Sequence, residues 1–318
     1  MKTYLAQRLA IAVLTLLGMS IVIFVLLRLA PGDIVDILFS TAGYVSPSEK
    51  QAIMKELGID RPYWVQYVDW LRQIVTFDLG KSYRYDLPAW QIIRPLLPVT
   101  IELAALSILV AVVLGVPTGV ISAVRQDTTL DYVLRVLSLA GLSMPAFWLG
   151  MVIILALVTW LRWIPPLTYV SPVENWRLHA VQFLLPALAV GYRSSALIMR
   201  ITRSALLEVL REDYIRTAWA KGQTRRVVIW RHALKNAMLP VITVIGIEFA
   251  FLIGGLVVTE RVFNLPGVAR FLVDAILWRD YPIVQTLVMF IAIVVILANL
   301  AVDMLYGVLD PRVRYGSG

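Results

Sequence analysis

Five long stretches that are almost free of charge constrain the fold of this 318-residue chain more than any other feature. They are Leu9–Leu27, Leu103–Val124, Val136–Leu161, Ala237–Thr259 and Ile283–Val302. A helix needs roughly 20 mostly apolar residues to cross a bilayer, and each stretch is close to that length or longer. The chain is 59% hydrophobic and only 16% charged, whereas soluble domains carry about 25% charged residues. We therefore expect an all-α membrane protein.

A sixth span is predicted from a less regular stretch. Leu178–Tyr192 is uncharged but short, and four arginines follow it at helical spacing. These are Arg193, Arg200, Arg203 and Arg211. At 100° per residue they fall, together with Ser204 and Glu208, within about 140° of one helix face. The pattern predicts one helix that crosses the membrane and continues beyond it as an amphipathic helix.

The distribution of charge predicts which loops are cytoplasmic. Residues 193–235 contain ten basic and three acidic side chains, whereas residues 30–99 contain seven basic and eight acidic ones. Cytoplasmic loops carry an excess of Lys and Arg, so the first segment is predicted inside and the second outside. Lys2 and Arg8 place the N-terminus inside as well, and six spans return the C-terminus to that side. The net charge of +8 then reflects orientation rather than binding to nucleic acid.

The predicted organisation is a single membrane domain over residues 1–318, without an internal repeat. Its spans lie at about residues 9–29, 101–124, 134–161, 179–203, 237–259 and 283–303. The external segment covers about residues 30–99, and a cytoplasmic loop covers about residues 208–236. Leu9–Leu27 is longer than the apolar region of a cleaved signal peptide, so we expect it to remain as the first helix.

The external segment is predicted to contain short helices. Ser48 precedes a helical stretch from Glu49 to Leu57, and Gly58 is placed to end it. Four large apolar residues then follow at helical spacing: Trp64, Tyr67, Trp70 and Leu71. An amphipathic helix packed on the bundle or on the membrane surface is favoured, because Trp and Tyr collect at interfaces. An aromatic patch that contacts a ligand is the alternative.

The sequence contains few features that are typical of an enzyme. It has no cysteine, which excludes disulfides and cysteine-based metal sites, and no glycine-rich phosphate loop or other catalytic motif. The two histidines are His179, at a membrane boundary, and His232, in a basic helical stretch. Neither has a partner in the sequence that would orient it for catalysis. We therefore predict no catalytic residue, no metal site and no cofactor bound by this chain.

Glu248 is the one acidic residue at the centre of a predicted span. A charged carboxylate there costs about 2.5–3.5 kcal/mol on insertion scales unless it is protonated, paired or facing water. One interpretation is a group that lines a pathway or lies between subunits. The other is a hydrogen-bonded carboxyl that fixes helix packing. Both remain open at the level of sequence.

Small residues predict close helix packing in the second span. Gly115 and Gly119 form a Gly-x-x-x-Gly pair, which lets two helix backbones approach each other closely. Gly254 and Gly255 occupy the fifth span in the same way. The predicted role of these glycines is packing.

The cytoplasmic loop has clear helix start and stop signals. Glu212 and Asp213 place negative charge where a helix begins, and Gly222 can adopt the positive φ that ends it. A second helix, Arg225–Asn236, is predicted to follow the possible cap residue Thr224. The short helix between Asp213 and Gly222 suits docking into a groove on a partner. An amphipathic helix lying on anionic lipid is the alternative from the residues alone.

This loop resembles the conserved cytoplasmic loop of permease subunits in binding-protein-dependent ABC importers. The similar stretches are Glu212–Gly222, Arg231–Ala237 and Leu239–Pro240. Further similar motifs extend the resemblance along nearly the whole chain, and they match the dipeptide, oligopeptide and nickel permease family. They are Arg28–Asp33, Leu57–Pro62, Asp78–Ser82, Leu265–Gly267, Arg279–Pro282 and Leu309–Arg312.

The resemblance implies a six-helix importer permease in the cell inner membrane, of the subunit type with a long first external loop. Its partners would be a second homologous permease, two ATPase subunits that use ATP and Mg, and an extracytoplasmic solute-binding protein. The coupling helix would contact an ATPase through nine residues. They are Tyr214, Ile215, Arg216, Thr217, Ala218, Trp219, Ala220, Lys221 and Gly222. A peptide or a related small solute would pass between the two permeases.

The loop departs from the general importer signature, which begins Glu-Ala-Ala. Arg216, Thr217 and Ala218 take those places here, so a glutamate contact to the ATPase is not implied. Two other classes compete with the importer subunit. A self-contained transporter or channel would show several intramembrane charges or an inverted repeat, and an intramembrane enzyme would show a catalytic pair within the spans. Neither pattern is present in the sequence.

Overall fold

The computed structural model describes residues 2–29, 35, 46–166 and 168–309, and these residues fold mainly into α-helices. In chain order the helices are α1 (Lys2–Leu29), α2 (Pro47–Glu56), α3 (Tyr63–Val75), α4 (Ala89–Ile93), α5 (Leu97–Val124), α6 (Thr129–Ser143), α7 (Ala146–Leu161), α8 (Trp176–Val209), α9 (Asp213–Ala220), α10 (Arg225–Val227), α11 (Leu234–Gly255), α12 (Val257–Val262), α13 (Val268–Leu277) and α14 (Tyr281–Leu309). A π-helical segment, Val228–Ala233, joins α10 to α11.

Contacts group the chain into two compact units. Unit 1 comprises Met1–Val99 and Pro266–Ile296, and unit 2 comprises Thr100–Leu265 and Leu297–Gly318. Five helical segments in the described part of the chain are long and apolar enough to cross a membrane. They are Gln7–Leu29, Leu97–Val124, Trp176–Val209, Arg225–Gly255 and Tyr281–Val302. Helices α6 and α7 make a sixth if the bent pair counts as one span.

The stretch predicted as one span from about 134 to 161 is divided into α6 and α7, which meet at an angle of 102°. The break lies at Met144, whose ψ of 128° is extended, and at Pro145, the N-cap of α7. Proline lacks the amide hydrogen that a helix needs and disfavours helical geometry in the residue before it. The apolar composition runs without interruption across this point, so hydropathy alone does not reveal the break.

In unit 1, helices of the external segment pack on the outer end of α1. Trp70 and Tyr67 of α3 lie against Phe24, with ring centroids 6.2 and 5.2 Å away, and the Tyr67 hydroxyl is 2.9 Å from the Ser20 hydroxyl. The packing role predicted for the aromatic residues is therefore observed for Tyr67 and Trp70. Trp64, which belongs to the same predicted set, is 72% exposed and does not share this contact.

The cap of α2 differs from the prediction. The N-cap is Ser46 rather than Ser48: its side chain accepts a hydrogen bond from the Glu49 amide, and the Glu49 carboxylate accepts one from the Ser46 amide. The side-chain hydrogen bond from Ser46 also holds the pKa of Glu49 below its usual value. Gly58 follows the helix with a φ of 67°, as expected for a residue that ends it.

Two of the sequence motifs meet in unit 1. The buried Asp280 carboxylate accepts hydrogen bonds from the Ser82 hydroxyl at 2.5 Å and from the Tyr83 amide at 3.2 Å. Burial raises the pKa of Asp280, and it raises the pKa of Tyr83 to about 12. This contact ties the 80–84 loop of the external segment to the residues that precede α14.

In unit 2, α8 is the helix around which the others pack. Gly119 of α5 lies so close to α8 that a Cβ atom there would be 2.7 Å from the Met199 carbonyl oxygen, and Gly115 approaches the Ser195 carbonyl equally closely. Gly191 of α8 makes the reciprocal approach to Ser107 of α5. The packing role predicted for Gly115 and Gly119 is confirmed, because only glycine leaves room for these backbones.

A buried ion pair joins α6 to α8. The Asp131 carboxylate is fully buried and accepts hydrogen bonds from Arg203 Nε at 2.9 Å and Nη2 at 2.7 Å. It also accepts hydrogen bonds from the Ser122 hydroxyl of α5 and from the Asp127 amide at 3.1 Å. Every oxygen of the carboxylate therefore has a donor, which is the condition for burying a charge.

Candidate coupling helix and intramembrane polar residues

The helix predicted between Asp213 and Gly222 is present as α9. Glu212 is its N-cap residue with extended geometry, and Asp213 lies in the first turn, where negative charge favours the helix dipole. Gly222 has a φ of 76° and lies in open space, so its backbone conformation rather than crowding requires glycine. The predicted start and stop signals are both confirmed.

One face of α9 belongs to the core of unit 2. Ile215 is completely buried and Ala218 is 7% exposed. They pack in a cluster with residues of α5, α8, the π-helical segment and α11: Val120, Ala123, Ala205, Leu206, Val228, Ile229, Ala233 and Ala237. Ile215 and Ala218 were both in the predicted coupling set. Their position fixes α9 to the membrane helices and leaves contact with a partner to other residues.

Six exposed residues in and just after α9 form what we call the outward face. It consists of Tyr214, Arg216, Thr217, Trp219, Ala220 and Lys221. Trp219 is 44% exposed, a large fraction for a tryptophan. The Tyr214 hydroxyl accepts a hydrogen bond of 2.7 Å from the side-chain amide of Asn236 in α11. The outward face thus combines aromatic, polar and basic side chains, and the hydrogen bond from Asn236 fixes Tyr214 to α11.

The second half of the loop differs in detail from the predicted helix Arg225–Asn236. Thr224 is at the N-cap position, but its side chain makes no capping hydrogen bond. A π-helical segment follows, and its wider turn buries Val228, Ile229 and Ala233. Arg225 donates a hydrogen bond of 3.0 Å to the Val124 carbonyl at the end of α5. Single π-helical turns within α-helices are frequent at functional sites.

Glu248 has a partner within the chain. The Ser194 hydroxyl of α8 donates a hydrogen bond of 2.7 Å to Glu248 Oε2, and the glutamate side chain is only partly buried. The hydrogen bond supplies part of the compensation that a carboxyl within a span requires. The residue as a whole is neither fully buried nor fully exposed.

His179 has an orienting partner that sequence reasoning missed. Its Nε2 lies 2.9 Å from Glu102 Oε1, and its Nδ1 lies 2.8 Å from the Val170 carbonyl oxygen. Both ring nitrogens therefore face oxygen atoms, and the ring also lies against Phe183 with centroids 4.5 Å apart. Glu102 is 77 residues away in sequence, so no local pattern signals this pair. Among the residues that the structure describes, no group of three or more His, Cys, Asp or Glu residues could hold a metal ion.

These features define a class of protein. It is an α-helical membrane protein with five to six spans, in which a short helix, α9, lies between the spans α8 and α11 in the chain and packs against the membrane helices. The chain belongs to the family of binding-protein-dependent transport system inner membrane components, which matches residues 115–315. The N-terminal region of such membrane components matches residues 1–104.

Permease proteins of peptide transport systems are similar to this chain over nearly its full length. The chain is 38% identical to the dipeptide transport system permease protein DppB of Escherichia coli (strain K12) over 338 residues, which covers 99% of each protein. It is 41% identical over 319 residues to the probable peptide ABC transporter permease protein y4tP of Sinorhizobium fredii (strain NBRC 101917 / NGR234). This similarity covers 99% of this chain and 100% of that protein. The chain is therefore a permease subunit of an ABC importer in the inner membrane, as the motifs predicted.

Solved structures support the fold. The methionine ABC transporter MetNI in inward-facing conformations contains a chain with a TM-score of 0.57 and 18% sequence identity. The similarity covers 70% of this chain and 98% of that one. An amino acid ABC transporter gives a TM-score of 0.50 at 15% identity. The predicted all-α importer permease fold is thereby confirmed.

Proposed function

We propose that the outward face of α9 docks in a groove on an ATPase subunit and couples ATP hydrolysis to movement of the membrane helices. The observation that carries this proposal is the two-sided structure of α9: Ile215 and Ala218 lie in the core of unit 2, while Tyr214 and Trp219 project from it. Aromatic side chains on a rigid support are typical anchors of protein interfaces. A helix resting only on lipid would not need a dedicated core behind it.

The proposed assembly contains this chain, a second homologous permease, two ATPase subunits and an extracytoplasmic solute-binding protein. ATP and Mg bind to the ATPase subunits, because this chain has no glycine-rich phosphate loop. Membership in a binding-protein-dependent family supports the external partner. The large external segment, anchored by Asp280 and by the contact of α3 with α1, offers it a structured surface.

The proposed solute is a peptide or a related small molecule that passes between the two permeases. The relatives named above are dipeptide and peptide permeases and cover the whole chain, which supports this solute class. We place Glu248 at the pathway or at the contact with the second permease. The hydrogen bond from Ser194 holds the carboxyl in position, and the glutamate is only partly buried within this chain.

Two tryptophans of the loop provide a matched test of docking. Trp219 lies on the outward face of α9, and Trp230 is exposed in the π-helical segment outside it. Truncating an interface tryptophan typically costs at least about 2 kcal/mol, so we expect Trp219→Ala to weaken ATPase association by about thirtyfold. Trp230→Ala should change it by less than about threefold. Retention of ATPase subunits during affinity purification, at graded ATPase concentration, measures both.

The same two variants are then compared for solute uptake in proteoliposomes. Loss of uptake with Trp219→Ala but not with Trp230→Ala supports docking through α9. Normal ATPase retention and normal uptake with Trp219→Ala would contradict it. A thermal unfolding measurement of the isolated chain confirms that neither variant is misfolded.

A further inference from the structure

Three faces of α8 are occupied by neighbouring helices of unit 2. Glycine contacts place α5 on one face, and the Tyr192 hydroxyl donates to the Leu137 carbonyl of α6 at 2.8 Å on the second. Ser194 meets Glu248 of α11 on the third. At 100° per residue, the remaining face carries Arg193, Arg200 and Ser204. These are the arginines at helical spacing that the sequence shows and that the coupling proposal leaves unexplained.

This remaining face lines three concavities, each of which shares lining residues with the next. The first, about 400 Å³, lies between Arg193 and the break of α6 and α7 at Ser143–Ala146. The second, about 470 Å³, is lined by Arg135, Arg200 and Ser204, and it shares Leu142 with the first. The third, about 500 Å³, shares Arg203 and Ser204 with the second and ends at Asp213, where α9 begins. Together they form one groove, called the α8 groove.

Two of the arginines in this groove make no contact that stabilises the fold within the described part of the chain. Among the residues that the structure describes, Arg193 and Arg200 have no hydrogen-bond or ion-pair partner, in contrast to Arg203, which is bound to Asp131. Taking the span to begin near Leu178, Arg193 lies about 22 Å along a hydrocarbon core of about 30 Å, deeper than lipid headgroups. An arginine at such a depth is expected to face water or an anionic partner.

Resting on the proposed function, we propose that the α8 groove is a wall of the solute path, and that Arg193 and then Arg200 bind the carboxylate of the solute as it passes. The two arginines are seven residues apart, which is a rise of about 10 Å along the helix. A guanidinium is well suited to the task because its fork of N–H donors matches a carboxylate. A peptide always offers such a carboxylate at its C-terminus unless it is modified.

The far end of the groove has the opposite charge. Its last concavity is lined by Glu208, Glu212 and Asp213 against Arg211 and the already paired Arg203. The attraction for a carboxylate therefore falls from Arg200 towards Asp213. A path needs this property, since binding must be favourable enough for entry and weak enough for release.

Labelling of an introduced cysteine tests the groove without any ATP-driven step. The chain has no cysteine, so the Ser143→Cys variant carries a single thiol next to the Arg193 concavity. In the assembled complex, we expect the anionic sulfonatoethyl methanethiosulfonate to react about ten times faster than its cationic trimethylammonium counterpart, because a basic cleft concentrates anions. Adding Arg193→Gln should abolish the preference, and adding Arg177→Gln on the exposed start of α8 should not.

Each other result of this labelling overturns the proposal. No reaction with either reagent means that the groove faces lipid or is sealed by another subunit. Equal rates for the two reagents mean that the α8 groove does not attract anions. A preference for the anionic reagent that survives Arg193→Gln means that Arg193 is not the source of the attraction. Leu155→Cys, exposed on α7 outside the groove, should stay unreactive and controls for general access of water.

Uptake of dialanine by the complete importer tests the carboxylate itself. We expect Arg193→Gln to lower uptake at least about tenfold, as loss of a charge-assisted hydrogen bond predicts, and Arg193→Lys to retain more of it. Parental uptake by Arg193→Gln, or an equal loss with Arg193→Lys, overturns the role of the guanidinium charge. Failure of the parent complex to take up dialanine would refute the proposed solute class and leave the labelling result standing, so the two failures are distinguishable.

Discussion

The two long helices α1 and α8 both qualify as membrane spans, yet they differ in almost every other property. In the apolar window of α1, 11% of the residues are buried, whereas in α8 the share is 61%. Helix α1 has no charge between Arg8 and Arg28, while α8 carries Arg193, Arg200 and Arg203 in its second half. The most apolar span is therefore mostly exposed, and the least apolar span is mostly buried. In a membrane the interior of a bundle can accept polar groups that its lipid-facing surface cannot.

The largest effect that separates the two helices is expected at the buried ion pair of α8. Arg203→Gln leaves the fully buried Asp131 carboxylate without its cation, so the free energy of unfolding should fall by about 3–5 kcal/mol. Arg200→Gln is the matched control on the same helix, and we expect a change within about 0.5 kcal/mol because Arg200 is unpaired. Denaturant unfolding in detergent micelles measures both, and equal effects would contradict the distinction between a structural and a free arginine.

The next largest effect is expected from truncation of apolar side chains. Ile198 of α8 is completely buried, whereas Leu14 of α1 is 68% exposed. Ile198→Ala should cost about 2–5 kcal/mol through lost burial and an unfilled cavity, and Leu14→Ala should cost less than about 0.5 kcal/mol. Denaturant unfolding of the isolated chain in detergent micelles measures the cost of both substitutions. A large cost for Leu14→Ala in the assembled importer alone would show that another subunit covers α1.

The smallest effect is expected at a glycine where the backbones of α5 and α8 lie close together. Gly119→Ala puts a methyl group 2.7 Å from the Met199 carbonyl of α8, whereas a Cβ at Gly18 of α1 has nothing within 4 Å. We expect Gly119→Ala to destabilise by about 1–3 kcal/mol, and Gly18→Ala to be neutral or slightly stabilising, because alanine favours helices over glycine. Thermal unfolding of the purified variants compares them. An unchanged melting temperature for Gly119→Ala would mean that α5 and α8 separate without cost.

Features that depend on neighbouring residues could be predicted from the sequence. The span composition, the start of α9 at Asp213 and its end at Gly222 are set by residues within one or two turns. The break at Pro145 was missed because the apolar pattern continues across it. The cap of α2 was placed at Ser48 instead of Ser46, since two serines flank Pro47 and both satisfy the same local preference.

Features that join distant parts of the chain could not be predicted. The ion pair of Asp131 with Arg203 and the contact of His179 with Glu102 connect residues 72 and 77 positions apart. The sequence showed four arginines at helical spacing, three of which lie in α8, but not that Arg203 pairs with Asp131 of α6 while Arg200 stays free. Which side of α9 faces inward also depended on the fold, because Ile215 and Ala218 gain their partners from four other segments.

The core behind α9 has a mechanical consequence. Ile215 and Ala218 share one close-packed cluster with Val120 of α5 and Leu206 of α8, and protein interiors of this density have low compressibility. No hinge of soft side chains separates the short helix from the long ones at this point. We therefore expect a displacement applied to α9 from outside to move the packed parts of α5 and α8 with it, instead of being absorbed by loose side chains.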